Sequence, residues 1–449
     1  MRQPRRRLGS LLALCAAALI VVVMTACGSS GTSGASAGSS TTAAADASGT
    51  ADTTSSSGSD TTASSSGDTV VNGNACGEVP IQKPADDDNI LPTLDREVQD
   101  KFNGYPGPVR PSPWARFAGK RPPYKIGLVG LAANSAFNVN LYRQIQVLFD
   151  QAKAQGLVTG TLQKAIDADQ ATETPAQQIA GYQSMVRDGV DGVLMLPLAG
   201  DAIAPAITKA GEAGVPTVVM GNTNPSPYAA VVNSPNIAAG TAKTLGILRQ
   251  GNVLIVRGIP GVPAETYGYN QIQAAIRACS GVKVIGEING NWNNATAKTA
   301  MLQYLASHPQ RIDAVLQNGI MAQGIIQAFE QAGRPVPPVT MVGAQAGELS
   351  WFKDHARDGY KTAGSAYNGK QQADAAWRVL LRILDGKGLK VTDIPLNPAL
   401  VTADNVAQFV PPGATLNTVD DPLGDVQSYA PDDYLDKVFD RPGNVEPAS

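Results

Sequence analysis

Histidine is nearly absent from this 449-residue chain. The two present, His308 and His355, lie far apart among polar neighbours, so neither anchors a metal site or a catalytic triad. Positive charge is also lacking: 35 Lys and Arg stand against 38 Asp and Glu, a net charge of −3. That balance argues against a nucleic-acid partner, which would call for a basic surface. No apolar run is long enough to cross a bilayer comfortably. The N-terminal stretch at residues 8–23 falls short of the roughly 20 residues a spanning helix needs. A hydrolase would require an acid–base or nucleophile–base pair, and none stands out. Gly34-Ala35-Ser36-Ala37-Gly38 matches a nucleophile-elbow pattern, but it sits in a Ser/Gly-rich tract with no strand before it. Residues 364–370 approach a phosphate loop, yet Gln371 stands where Ser or Thr is needed.

What is present begins with an export signal at residues 1–26: Arg2, Arg5, Arg6 and Arg7, then the apolar stretch, then small residues. Met24-Thr25-Ala26-Cys27 resembles a bacterial lipobox, with Cys27 lipidated as the first mature residue; the alternative is ordinary cleavage and a free thiol. Loss of residues 1–26 removes four Arg and no acid, so −3 becomes −7. Residues 27–75 are nearly all Ser, Thr, Gly, Ala and Asp, a composition that cannot bury a core. As a flexible coil this tether reaches about 40 Å. Of the four cysteines, Cys15 leaves with the signal and Cys27 carries lipid. Cys76 and Cys279 remain, either bridged, as an oxidising compartment permits, or as two thiols. Residues 76–123 are Pro-rich and are expected to form an extended strap pinned by Trp114 and Phe117.

From Tyr124 onward, short apolar runs alternate with helical periodicity. KIGLVG at 125–130, GVLML at 192–196 and VPTVVM at 215–220 read as buried strands. Segments 138–155, 174–187 and 201–213 read as helices. The rhythm repeats from NVLIVR at 252–257 to residue 384. Such alternation predicts an α/β protein with parallel sheets, and about 290 residues of it predict two Rossmann-like lobes.

In such sheets a ligand sits at the carboxyl ends of the strands. Those ends carry Asn134, Ser135, Phe137 and Asn138; Asn222, Thr223 and Asn224; Glu265, Tyr267 and Tyr269; Asn289 and Asn291 to Asn294, with Trp292 among them; Gln317 and Asn318; Gln345 and Glu348; and Tyr367 and Asn368. Amides both donate and accept, which suits hydroxyl groups, and aromatic faces suit the C–H face of a ring. Any single Asn there is as well explained by a turn; the shared chemistry of seven strand ends is not.

The sequence from Tyr124 to about Val410 resembles the type I periplasmic binding proteins of bacterial ABC importers, in the ribose- and galactose-binding branch. The resemblance rests on KIGLVGLAANSAFNVNLYRQIQ (125–146), RDGVDGVLMLP (187–197), GEAGVPTVVMGN (211–222), LQNGIMAQGIIQAFEQAG (316–333), TMVGAQ (340–345) and LVTADNV (400–406). The lac-repressor class shares this fold but carries a DNA-binding domain where this chain has an export signal. The resemblance implies a three-crossing hinge, near residues 233–236, 366–368 and 393–396. It divides the chain into a first lobe (124–234 plus 367–394), a second lobe (235–366 plus 395–420) and a C-terminal tail (421–449). It implies reversible, non-enzymatic capture of a small polar, sugar-like molecule between the lobes of a monomer outside the cytoplasm, without cofactor or metal. Its partners would be a permease and ATPase in the membrane. A sensor signalling to a membrane kinase would use the same fold, and a non-sugar ligand the same cleft. Carried over residue by residue, the ligand set is Ser135, Phe137 and Asn138, beside Asn134, from the first lobe. Asn222, Thr223 and Tyr367 lie near the hinge, and Glu265 or Tyr267, Trp292, Asn318 and Gln345 come from the second lobe. Phe137 and Trp292 would sandwich a ring. Many sugar-binding relatives place Asp-Arg where Asn222-Thr223 stand, Asp where Gln345 stands and Arg near Tyr267, so this cleft is expected to be the more neutral one.

Overall fold

The computed structural model describes residues 75–133, 135–166, 174–234, 239–422 and 430–445. The export signal, Cys27, nearly all of the tether and Asn134 lie outside the described residues.

Before the first sheet, the chain forms a short helix, α1 (Arg96–Lys101). The first lobe then follows as β1 (Ile126–Gly130), α2 (Ala136–Ala154), β2 (Gln163–Ile166), α3 (Pro175–Arg187), β3 (Gly192–Met195), α4 (Gly200–Glu212), β4 (Thr217–Met220) and β5 (Ala229–Asn233). The second lobe contains α5 (Ala239–Leu248), β6 (Gln250–Arg257), α6 (Pro263–Arg277), β7 (Gly281–Asn289), α7 (Asn294–Ser307), β8 (Ala314–Gln317), α8 (Ala322–Gln331), β9 (Met341–Val342), α9 (Ala346–Ala356) and β10 (Gly364–Ala366). The chain returns to the first lobe for α10 (Gly369–Leu384) and β11 (Asp393–Pro395). It crosses again for β12 (Ala399–Val401), and ends in α11 (Asp432–Val438).

The first sheet is wholly parallel, in the order β11-β5-β4-β3-β1-β2. Side chains alternate between its faces with period two. Leu128, Leu194, Val218 and Ala230 join one core with α2 and α10, while Val129, Val193, Val219 and Val231 join another with α3 and α4. The second lobe has two three-stranded sheets, β7-β6-β8 and β12-β10-β9. Val315 N donates to Pro338 O (2.8 Å) and Thr340 N to Val315 O (3.0 Å), so β8 and β9 continue one sheet into the other. β12 runs antiparallel at its edge.

The strap departs from an extended reading. Asp95 caps α1 by accepting from Glu97 N (2.9 Å), and Arg96 and Lys101 pair with acids one turn away. Val98, Phe102, Tyr105, Val109 and Trp114 are buried in the first lobe's core. Residues 110–112 pair antiparallel with 390–392, covering the sheet edge next to β11. Trp114 donates from Nε1 to Tyr228 O (3.0 Å) and packs edge-on against Phe117 and Tyr228. Cys76 and Cys279, left open by the sequence, form a disulfide. Nor is the region after 420 only a tail. Tyr434, Leu435, Val438 and Phe439 enter the first lobe's core, and buried Arg382 of α10 binds Asp436 (2.6 Å) and Asp432 (3.2 Å).

Trp114→Ala is expected to cost about 3–5 kcal/mol, the price of a fully buried aromatic, read as a lower urea midpoint. An unchanged midpoint would mean that the strap lies outside the folding unit of the first lobe.

Candidate ligand-binding cleft

The carboxyl ends of β1, β3 and β4 face those of β6, β7, β8 and β9 across a cleft of about 160 Å³, the scale of space that takes a single six-membered ring. Phe137 opens α2 from the first lobe. Ser135 caps that helix by accepting from Asn138 N (3.2 Å), and Asn138 Nδ2 donates to Ala132 O (2.8 Å). Both line the cleft together with Phe137, whose ring stacks on Tyr367 at 5.0 Å.

Opposite them, Trp292 closes the β7–α7 turn. Asn291 and Trp292 both adopt left-handed backbone, with φ of 54° and 51°. For a residue as bulky as Trp this is a strained conformation of the kind held at ligand sites. The indole lies between Gly258 and Gly319; a Cβ on either would meet it at 2.4 or 2.1 Å, so no larger residue leaves room for the ring. Its Nε1 donates to Asn318 Oδ1 (3.3 Å), and Asn318 Nδ2 donates to Glu265 O (3.1 Å).

The structure thus brings Ser135, Phe137, Asn138, Asn222, Tyr267, Trp292, Asn318 and Tyr367 to one surface. Three sequence candidates point elsewhere. Glu265 is buried, but its carboxylate is held by Arg257 through Nε and Nη2, and Arg257 also reaches Glu287 (3.2 Å) and lies over the Tyr269 ring (3.5 Å). Gln345 Oε1 accepts from Asn294 Nδ2 (2.9 Å), behind the wall. Thr223 faces the strap, its Cγ2 within 3.7 Å of where a Cβ at Gly107 would stand. Sequence reasoning missed Asn233 and Ser234 at the first hinge crossing, and the apolar contributors Leu131, Leu196, Ile259, Val262 and Ile320. Those apolar residues follow β1, β3, β6 and β8 directly or within the next turn, so their positions were a usable signal.

Among the described residues that line the cleft, none is charged. Asn222 Nδ2 donates to Pro197 O (2.9 Å), but its Oδ1 has no hydrogen-bond partner among the described residues, and neither has Ser234 Oγ. Both atoms are buried. Left unsatisfied, each costs about 1–3 kcal/mol.

Behind the wall, Glu348 is fully buried in the first turn of α9. Desolvation pushes its carboxyl up to about 8, against smaller lowering by the backbone of Gln345 and Gln323. A carboxyl raised by folding stabilises fully below its unfolded pKa, and that contribution fades as pH climbs from the ordinary carboxylate range to about 8. Glu348→Gln is therefore expected to gain on the parent protein by up to about 1 kcal/mol per pH unit between about pH 5 and about pH 8, measured as urea midpoints. A constant difference would contradict a neutral Glu348.

A periplasmic binding protein domain model matches residues 126–388. Among characterised relatives, the chain is 26% identical over 245 residues to the xylitol-binding protein of Mycolicibacterium smegmatis, covering 53% of this chain and 68% of that one. It is 25% identical over 240 residues to the ribose import binding protein of Bacillus subtilis, covering 51% and 73%. Among solved structures, it superposes on an ABC transporter solute binding protein from Thermobispora bispora with a TM-score of 0.55 and 25% identity, covering 64% of this chain and 87% of the other. The match spans more than half of the chain, runs through both lobes and includes the cleft between them: the chain belongs to the periplasmic binding protein family, with the type I architecture of its ribose- and galactose-binding branch.

Proposed function

We propose that this protein captures a small uncharged polyhydroxy molecule, a sugar or polyol of single-ring size, between its lobes and delivers it to an ABC importer. The observation that carries the reading is the chemistry of the cleft. Its described lining is uncharged, has aromatic rings on both lobes, and includes the amide residues Asn138, Asn222, Asn233 and Asn318. A charged solute entering such a site would lose its hydration without a counter-charge, which costs several kcal/mol. A hydroxylated ring loses little, because amides replace its water contacts and Phe137 and Trp292 cover its C–H faces. The names of the relatives, xylitol-binding and ribose import binding proteins, support the same class.

Family membership implies an extracytoplasmic protein. Lipidation of Cys27 would hold it at the cell membrane, with residues 28–75 as the tether that lets the lobes reach a permease. The lobes act as reversible binders; opening and closing about the crossings loads and releases the solute unchanged.

The test is a thermal-unfolding screen of the protein with pentoses, hexoses, polyols, inositols, nucleosides, amino acids and small aromatic acids. A compound at a hundred times its dissociation constant adds about 2.7 kcal/mol of stability. The expected result is a shift from one neutral sugar or polyol. A shift only with amino acids or aromatic acids would overturn the ligand class. With the hit in hand, Trp292→Ala is expected to weaken binding at least about 10-fold, since one wall of the stack is lost, while circular dichroism stays native. Unchanged affinity would remove Trp292 from the site.

A further inference from the structure

Residues 76–110 grip both lobes. At their start, the Cys76–Cys279 disulfide fastens them just beyond the C-terminal end of α6. Gly77 lies so close to Gly246 of α5 that a Cβ on Gly77 would stand 2.7 Å from the Gly246 Cα, and Cys76 and Val79 pack on the second lobe's core. The segment then reaches the cleft end of α6. There Gly104 N donates to Gln82 O (2.7 Å), and Gly104 O accepts from Tyr267 Oη (2.5 Å) and Gln271 Nε2 (3.4 Å).

The very next residue belongs to the other lobe. Tyr105 is buried in the first lobe's core and donates to Asp393 Oδ1 (2.5 Å). Arg110 follows, donating to Asn224 O (3.0 Å) and Pro225 O (2.8 Å). The lobes therefore cannot separate at this edge without breaking the Gly104–Tyr267 contact. Beyond that, the stretch from Val79 to Ala85, where Ala85 O accepts from Val109 N (2.7 Å), spans at most about 20 Å fully extended. Hydrogen bonds worth about 1 kcal/mol each can yield to hinge opening; a covalent buckle does not.

We propose that residues 76–110 are a disulfide-buckled strap that limits how far the lobes part and that Gly104 is a positioning residue holding Tyr267 in the cleft wall. The strap is a connection additional to the chain crossings at the hinge. Tyr267 presents its ring to the cleft while its hydroxyl is spent on the strap, so this wall is set by a segment outside the two sheets. The width of the open cleft, and with it the size of solute admitted, then depends on the oxidised state of Cys76 and Cys279. This rests on the two-lobe binding reading for its consequence but not for its test.

The experiment measures lobe separation without ligand. Spin labels on p-acetylphenylalanine introduced at exposed Gln151 of α2 and exposed Gln303 of α7 report the inter-lobe distance by pulsed dipolar spectroscopy and leave the cysteines untouched. The labelled parent protein is expected to give one narrow distribution. Tyr267→Phe combined with Cys76→Ser and Cys279→Ser is expected to add a population longer by about 5 Å or more, beyond the reach that the buckled stretch permits. Should that variant not fold, the folded Tyr267→Phe protein treated with a phosphine reductant makes the same comparison against its oxidised form. Identical distributions in tied and untied protein would overturn the strap. A sugar panel that stays silent would sink the ligand reading and leave this distance result standing.

Discussion

Parallel strands put every loop that follows a strand on one edge of their sheet, and the cleft depends on that constraint. Two such edges face each other here. Because β5, β10 and β11 all end at the boundary between lobes, the crossing segments share the edge with the loops. Asn222 after β4, Ser234 after β5 and Tyr367 after β10 therefore reach the same space as Phe137 and Trp292. No long-range electrostatic design is needed to assemble the site; strand polarity does it.

The second theme is the placement of charge. Charged groups are present at the strand ends, but they are turned to one another beside the cleft. Arg257 takes up both Glu265 and Glu287, and Tyr269 donates to Glu287 Oε1 (2.7 Å) beneath the guanidinium. Glu348 stays buried and is held in its neutral form by desolvation. What faces the cavity among the described residues is amide, hydroxyl, aromatic ring and aliphatic side chain, a surface better suited to hydroxyl groups and ring faces than to ions.

Much of the fold was legible in sequence because β1, β3, β4 and the centre of β6 are buried on both faces. β1, β3, β4 and β6 read as continuous apolar runs, and the helices between them carry one apolar stripe. β5, with only AAVVN, was missed beside the Pro-rich turn before it. α9 was missed because Leu349, Trp351 and Phe352 are buried on several sides and show no clean stripe. The strap's helix did carry signals, Asp95 as cap and the Arg96–Asp100 and Glu97–Lys101 spacings, obscured by the surrounding prolines. In the cleft, eight candidates met as their strand-end positions imply. Glu265 and Gln345 were captured by Arg257 and Asn294, partners that lie 8 and 51 residues away and that no local pattern reveals. The apolar wall is marked in sequence only by its position, because an aliphatic residue just after a buried strand reads as the strand's continuation.

The central claim is that the cleft selects for absence of charge on a hydroxylated solute. Calorimetric titration with matched pairs addresses it directly: xylitol against xylonate, ribose against ribonate, and myo-inositol against its monophosphate. The expected result is that the tightest binder is neutral and that its charged counterpart binds at least about 10-fold more weakly, because the added charge finds no partner in the wall. A charged member that binds as tightly as its neutral counterpart would contradict it.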